Sequence, residues 1–373
     1  MHLKKLTLLN FRNYEEVTVE CSERINCFTG LNGSGKTNLL DAIHYLSLCK
    51  SFLNPVDSQN IRFDQGFFVI QGDFPNDAGE EDHVFCSVKR GARKVFRRNS
   101  KEYDRLSDHI GLFPLVVVSP ADSVLVTAGS EERRRFMDTV IAQFNRKYLE
   151  QLIAYNHVLS QRNALLKRLA EGKATDDGTL EVLDLQLVQM GIPVFLARKA
   201  FVRELLPFFS NYYGRLSAGA EKVELVYESK LHDKPLEQLL KESAPRDRLL
   251  GHTTTGIHKD DLDFRINGYP LKRSGSQGQQ KTFLVALKLA EYVFLDRASG
   301  KLPMLLLDDV HDKLDEDRVA RLMDIVCGKG FGQLFITDTG AGRIQGLFTA
   351  KGLPYKMFSV ENGKIEDVRN TKK

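Results

Sequence analysis

"FTGLNGSGKTNLLDAIHYL", Phe28–Leu46, decides the fold. Within it, Gly30–Thr37 matches G-x-x-x-x-G-K-[ST]; the strand-like "RINCF" precedes it and the helical pattern "TNLLDAIHYLSLC" follows. Gly33 and Gly35 let backbone N–H groups converge on phosphate oxygens with no Cβ in the way. Lys36 supplies a point charge for the β- and γ-phosphates, Thr37 offers a hydroxyl to a magnesium ion, and the start of the helix favours an anion. The whole loop, Gly30, Leu31, Asn32, Gly33, Ser34, Gly35, Lys36 and Thr37, is therefore a candidate triphosphate cradle. The alternative is a glycine-rich turn that holds nothing, which the strand–loop–helix context disfavours.

Two further stretches extend the site. "MLLLDD", Met304–Asp309, is an apolar run suited to a central parallel strand, and it ends in two carboxylates where ligands bind such sheets. Asp308 is placed to hold Mg²⁺ through its water shell, and Asp309 to polarise an attacking water. "SGSQGQQKT", Ser274–Thr282, has no apolar residue, yet the amphipathic "FLVALKLAEYVFLDR" starts directly behind it. Serine hydroxyls and glycine backbone at a helix start suit either an ordinary cap or an anion contact.

Composition sets the frame. The chain has 373 residues, 42% hydrophobic, enough for a large core and about two lobes. No apolar run reads as long enough for a membrane span, and the N-terminus lacks a secretory cleavage pattern. Five scattered cysteines without C-x-x-C spacing suit a reducing, cytoplasmic compartment and no zinc site. Net charge is only +4, but two basic clusters stand out. Arg93, Lys94, Arg97 and Arg98 lie in "VKRGARKVFRRNSKEY", and Arg133, Arg134 and Arg135 in "ERRRFMD". Such clusters neutralise DNA phosphates, or else form a solvated hairpin and a salt-bridged helix face.

The pattern is α/β at both chain ends and mainly helical between. It predicts one α/β lobe from residues 1–120 and 250–373, with an inserted helical lobe over 121–249. "DLDFRINGYPLKR" is expected to be a hairpin turning at Asn267–Gly268.

The order of phosphate loop, serine–glycine–glutamine stretch and acidic strand resembles the ABC-type ATPases. By that resemblance Ser276, Gln277, Gly278 and Gln279 form a signature segment that contacts the γ-phosphate of ATP held by a second subunit. "LNFRNY", "GLNGSGKTNLLDAI", "SPADSVLVTAGSEERRRFMD", "YNHVLSQRNALLK", "GIHKDDL", "SGSQGQQKT" and "LLLDDV" together resemble the RecF family of bacterial recombination mediators, over essentially the whole chain. The resemblance implies an ABC-type ATPase head with a short inserted lobe, ATP and Mg²⁺ as cofactors, and an ATP-dependent homodimer. It also implies weak DNA-stimulated ATP hydrolysis, duplex and single-stranded DNA at gaps or junctions as substrate, RecR and RecO as partners, and no membrane. Arg12 is placed near the nucleotide base, Asp315 (with Leu314) in the loop after the acidic strand, Gln71 in the Q-loop, and His258, Lys259 and Asp260 at a functional or interface site.

The pattern departs from the ABC type in two places. Asp309 stands where glutamate is usual, so a shorter carboxylate must reach farther, which suits slow hydrolysis. "FITDTG" offers Asp338 and Thr339 where many such ATPases have a histidine. Three other readings share the motifs. A transporter's ATP-binding subunit keeps Lys36- and Ser276-type motifs much closer together. An SMC-type chromosome organiser needs sustained heptads, and none are present. A passive nucleotide sensor would not hydrolyse ATP, and Asp309 argues against it.

Overall fold

The computed structural model describes residues 2–75, 79–173, 175, 178–217, 219, 221–309, 315–350 and 352–370. Along the chain come β1 (Lys5–Phe11), β2 (Tyr14–Glu20), β3 (Ile25–Thr29), α1 (Lys36–Leu48), β4 (Phe67–Pro75), β5 (Glu81–Lys89), β6 (Val95–Arg98), β7 (Lys101–Glu102) and β8 (Leu115–Val118). The middle holds α2 (Val124–Thr127), α3 (Ser130–Ala142), α4 (Arg146–Ala170), α5 (Thr179–Ser217), β9 (Val223–Glu228), α6 (Leu236–Leu250), β10 (Asp261–Ile266), β11 (Tyr269–Pro270) and α7 (Leu271–Ser274). The chain closes with α8 (Gln277–Ser299), β12 (Met304–Leu307), α9 (Glu316–Val326), β13 (Leu334–Asp338), α10 (Ala341–Ala350), β14 (Lys356–Glu361) and β15 (Lys364–Asn370).

These elements form two compact units. One comprises Met1–Ser123, Tyr212–Ala220 and Gln277–Lys373; the other comprises Val124–Asn211 and Glu221–Ser276. The first unit has two six-stranded sheets, ordered β2-β1-β4-β5-β6-β7 and β15-β14-β3-β13-β12-β8. In the second sheet β14, β3, β13, β12 and β8 run parallel. Every residue of β3, β12 and β13 is buried, as expected for strands covered on both faces. Helix α1 is buried nearly all round, and its Leu39, Leu40, Ile43 and Tyr45 join one core with Leu6, Leu8, Phe68 and Ile70 of the antiparallel sheet and Phe28, Leu306 and Phe335 of the parallel one. Because β3, β12 and β13 are parallel and in register, their C-terminal ends, Thr29, Leu307 and Asp338, reach the same edge of the sheet. That edge is where α/β sheets bind ligands.

The second unit packs α3, α4, α6 and most of α5 with the sheet β11-β10-β9. The hairpin turn falls at Asn267–Gly268, with φ of 51° and 81°, the left-handed pair that a tight hairpin turn requires. Two fully buried arginines organise this unit. Arg162 binds Asp247 at 2.7 Å and Asp184 at 2.5 Å, and Arg198 binds Asp138 at 2.9 Å and the Ile257 carbonyl at 2.8 Å. Paired in this way, a buried guanidinium is tolerated; unpaired, it would cost several kcal/mol.

One expectation needs correction. Helix α5 is long and apolar enough to cross a membrane, with a mean hydropathy of 1.5 over eighteen residues. Asp184, Arg198 and Lys199 break up the run in the sequence, but the first two are the ion-pair partners just described. The same helix also turns Val182, Leu185, Ile192 and Leu196 outward, so its high hydropathy comes from two faces. Length and composition alone do not separate a membrane span from a helix of a folded lobe. A helix whose inner face holds Arg198 and Asp184 reads as the latter.

Two buried histidines, His44 and His109, and the half-buried His258 predict an acid sensitivity. Burial lowers His44 to about 3, and His109 and His258 to about 4. In the unfolded chain each titrates near 6.5, so unfolding takes up protons once the pH drops below that value. The stability they contribute is therefore complete above pH 6.5 and is lost as pH falls towards 4, at up to about 1.4 kcal/mol per pH unit and group. The urea midpoint should drop between pH 7.5 and 5.5, and His109→Asn should show a shallower drop. A midpoint that does not move with pH contradicts this.

Candidate nucleotide-binding site

The phosphate loop leaves β3 and enters α1, and neighbouring backbone holds it tightly. Gly30 N–H donates to the Asp338 carbonyl at 3.2 Å, and a Cβ on Gly30 would lie 2.2 Å from the Val360 carbonyl. Gly35 caps α1 at φ 116°, where a Cβ would lie 2.4 Å from Asn13 Nδ2. Lys36 is buried and folds back over the loop, its Nζ donating to the carbonyls of Gly30 at 2.8 Å and Leu31 at 2.9 Å. Leu31, Asn32 and Gly33 form the exposed rim. Ser34 Oγ is buried and has no hydrogen-bond partner among the described residues.

The acidic strand end lies against this loop. Thr37 Oγ1 donates to both Asp308 carboxylate oxygens, at 2.9 and 3.1 Å. Thr337 Oγ1 donates to Asp308 Oδ1 at 2.7 Å and itself accepts the Asp309 N–H at 2.9 Å. One hydroxyl thus orients the Asp308 carboxylate and holds the Asp309 backbone. Asp309 has φ 44°, a left-handed conformation that a non-glycine residue holds only under constraint and that clusters at functional sites. A triphosphate with Mg²⁺ fits this donor set: an orphan hydroxyl, an amine resting on carbonyls and a hydroxyl–carboxylate pair of the type that holds the ion.

The remaining predicted residues are placed as follows. Ser276 and Gln277 are exposed, with Ser276 directly before α8; a Cβ on Gly278 would come within 3.1 Å of Arg318 Nη1. Gln279 lies in the first turn of α8. Asp315 caps α9 by accepting the Arg318 N–H at 2.9 Å; Leu314 lies outside the described residues. Arg12 directs its guanidinium to buried Asp41 at 2.9 Å and to Ser51 at 3.1 Å. Gln71 is a mid-strand residue of β4 opposite Thr7 and Phe85, not a loop residue, which corrects its assignment to a Q-loop. His258 Nε2 donates to the Thr253 carbonyl at 3.3 Å, which leaves Nδ1 of the neutral ring to accept from Tyr155 Oη at 2.9 Å, while Asp260 accepts from Tyr227 Oη at 2.5 Å. Burial also raises the Asp260 carboxyl.

Most of the basic residues have partners within the protein. Lys94 binds Asp57 at 2.8 Å and the Cys49 carbonyl at 2.7 Å; Arg98 pairs with Asp82 at 2.8 Å. Arg133 grips Asp261 through two bonds, and Arg134 donates to the Asp260 carbonyl. Arg93, Arg97 and Arg135 are exposed, and their contacts are to the Asp104 carbonyl, Glu102, and Glu131 with Glu132. Sequence patterns do not point to Asn13, Tyr14, Thr337 or Gly363, although all four touch the loop or its aspartates. The Asn362–Gly363 dipeptide between the alternating runs of β14 and β15 is the signal that marks that hairpin.

Comparison with known proteins agrees with this geometry. The family model described as RecF/RecN/SMC N terminal domain matches residues 2–365. A Bacteroides fragilis protein named DNA replication and repair protein RecF is 49% identical over 368 residues, covering 99% of each chain. A Flavobacterium johnsoniae protein of the same name is 48% identical over 361 residues, covering 96% of this chain and 100% of its own. Among solved structures, the recombination mediator RecF with ATP, of the RecFOR pathway, superposes with a TM-score of 0.89 at 30% identity, covering 99% of this chain and 98% of that one. An Smc head bound to the C-terminal winged-helix domain of ScpA superposes at 0.57 with 16% identity, covering 99% and 97%, a likeness of fold alone. With its ABC-type ATPase head of two sheets around a phosphate loop, and this identity across its full length, the chain belongs to the RecF family.

Proposed function

We propose that this chain is an ATP-binding recombination-repair and replication protein of the cytoplasm. ATP closes it into a homodimer that binds DNA at gaps or junctions and, with RecR and RecO, helps load a recombinase on single strands. The observation that carries the reading is the bond from Thr37 to Asp308 beneath a loop whose lysine and serine are poised for phosphate. Lys36 and the loop N–H groups hold the triphosphate, and Thr37 with Asp308 holds Mg²⁺, which neutralises phosphate charge when bound. Asp309 orients the attacking water, and its short side chain makes hydrolysis slow. The Ser276–Gln279 segment completes the site of a second copy. RecF-ATP of the RecFOR pathway supports this reading at 30% identity, and Asp309 favours it over a nucleotide sensor that never hydrolyses.

DNA binding measured with and without ATP, on intact and on gapped duplex, tests the reading. ATP should tighten binding, and the gapped substrate should bind best. Indifference to ATP on every substrate would remove the proposal. For DNA contacts, exposed Arg93, Arg97 and Arg135 are the strongest candidates. Replacing each with alanine should flatten the salt dependence of log K by about 0.9 per lost phosphate contact, evenly across sequences. An unchanged slope returns them to a solvated surface.

A further inference from the structure

We propose that Asn13 is a positioning residue for the triphosphate site, aiming the N–H of Gly35 at the phosphates. The proposal rests on the ATP-binding reading above. Asn13 sits in the turn between β1 and β2. Its Nδ2 donates to the Ser34 carbonyl at 2.9 Å, and its Oδ1 accepts from Asn38 Nδ2 at 2.7 Å. The same Ser34 carbonyl accepts the Gly363 N–H at 3.3 Å from the β14–β15 turn. Next along the loop, the Gly35 carbonyl accepts from Tyr14 Oη at 3.0 Å and from the Asn38 N–H at 2.9 Å.

The consequence follows from peptide geometry. In a planar trans peptide the C=O and the following N–H point in opposite directions. Holding the Ser34 carbonyl towards Asn13 and Gly363 turns the Gly35 N–H to the other side. Holding the Gly35 carbonyl towards Tyr14 does the same for Lys36. Two successive N–H groups are thereby fixed on the side away from the turn, which is how a backbone nest binds an anion. The fit leaves no slack: a Cβ on Gly35 would meet Asn13 Oδ1 at 2.8 Å and Tyr14 Oη at 2.9 Å, and one on Gly363 would meet the Asn13 carbonyl at 2.6 Å. Two segments far apart in the chain thus grip one peptide of the cradle.

The test compares Asn13→Ala with Asn13→Asp, which keeps the shape but loses the donor. Calorimetric titrations with MgATP and with inorganic tripolyphosphate, which reads the cradle alone, should show both variants about tenfold weaker than wild type. Asn13→Gln, which keeps an amide donor, should recover part of the affinity that Asn13→Asp and Asn13→Ala lose, a rescue that a merely structural role would not produce. Gly363→Ala releases the same carbonyl from the other side and should also weaken tripolyphosphate binding; it carries the test should the Asn13 variants fail to fold. Wild-type affinity in Asn13→Asp, or in Gly363→Ala, overturns the proposal. Wild type binding neither ligand would instead sink the ATP reading on which it rests.

Discussion

Lys36→Met is expected to lower ATP affinity by about ten- to a hundredfold and to remove every nucleotide-dependent behaviour. Lys36 is the one loop residue that is buried, cationic and held by nothing stronger than two backbone carbonyls, Gly30 at 2.8 Å and Leu31 at 2.9 Å. Exchanging those neutral acceptors for phosphate oxygens gains a charge-assisted bond, and a net contribution of about 1.5–3 kcal/mol is typical. Methionine keeps the apolar stem and removes the charge, leaving the triphosphate without its cation in a partly desolvated cradle. The same loss should propagate to dimerisation and to ATP-dependent DNA binding, which are linked to the nucleotide by mass action. Calorimetry or displacement of a fluorescent nucleotide measures it, and an unaltered dissociation constant would refute the role given to Lys36.

Ser276→Arg is expected to abolish the ATP-dependent dimer while leaving ATP affinity within a few-fold of wild type. Ser276 is exposed immediately before α8, and Gly278 follows in its first turn. A helix start with a small hydroxyl residue and glycine backbone admits a phosphate closely. Arginine fills that approach, so the loss is steric even though its charge is of the attractive sign. Sedimentation with Mg²⁺ and ATP separates the two quantities. A mutant that still dimerises rules out contact in trans, and a mutant that loses ATP binding in parallel places the segment in its own molecule's site.

The sequence made much of this legible because several signals were local. The strand–loop–helix around Lys36, the apolar run before Asp308 and the Asn267–Gly268 turn each depend on neighbours within a few residues, and each appears where the pattern places it. Strand β2, "YEEVTVE", escaped because it is an edge strand with mostly polar, exposed residues. The span-length apolar window in α5 escaped because charged residues interrupt it, and only packing reveals that Asp184 and Arg198 are neutralised inside. All seven basic residues put forward for DNA have protein partners that a count of charges cannot show, and of the seven Arg93, Arg97 and Arg135 are the exposed ones.

By itself the sequence determined the candidates: which residues are proposed to supply phosphate-binding backbone, the cation and the metal-holding hydroxyl and carboxylate, and the order in which they come. Only the tertiary structure decided their orientation. Thr337 aims Asp308 and supports Asp309, and Asn13 and Gly363 together turn the Ser34 peptide, across separations of about twenty to more than three hundred residues. A motif records residue type at short range. The direction of a carboxylate or a peptide N–H depends on which distant donor reaches it, and that is settled when the sheets close around α1.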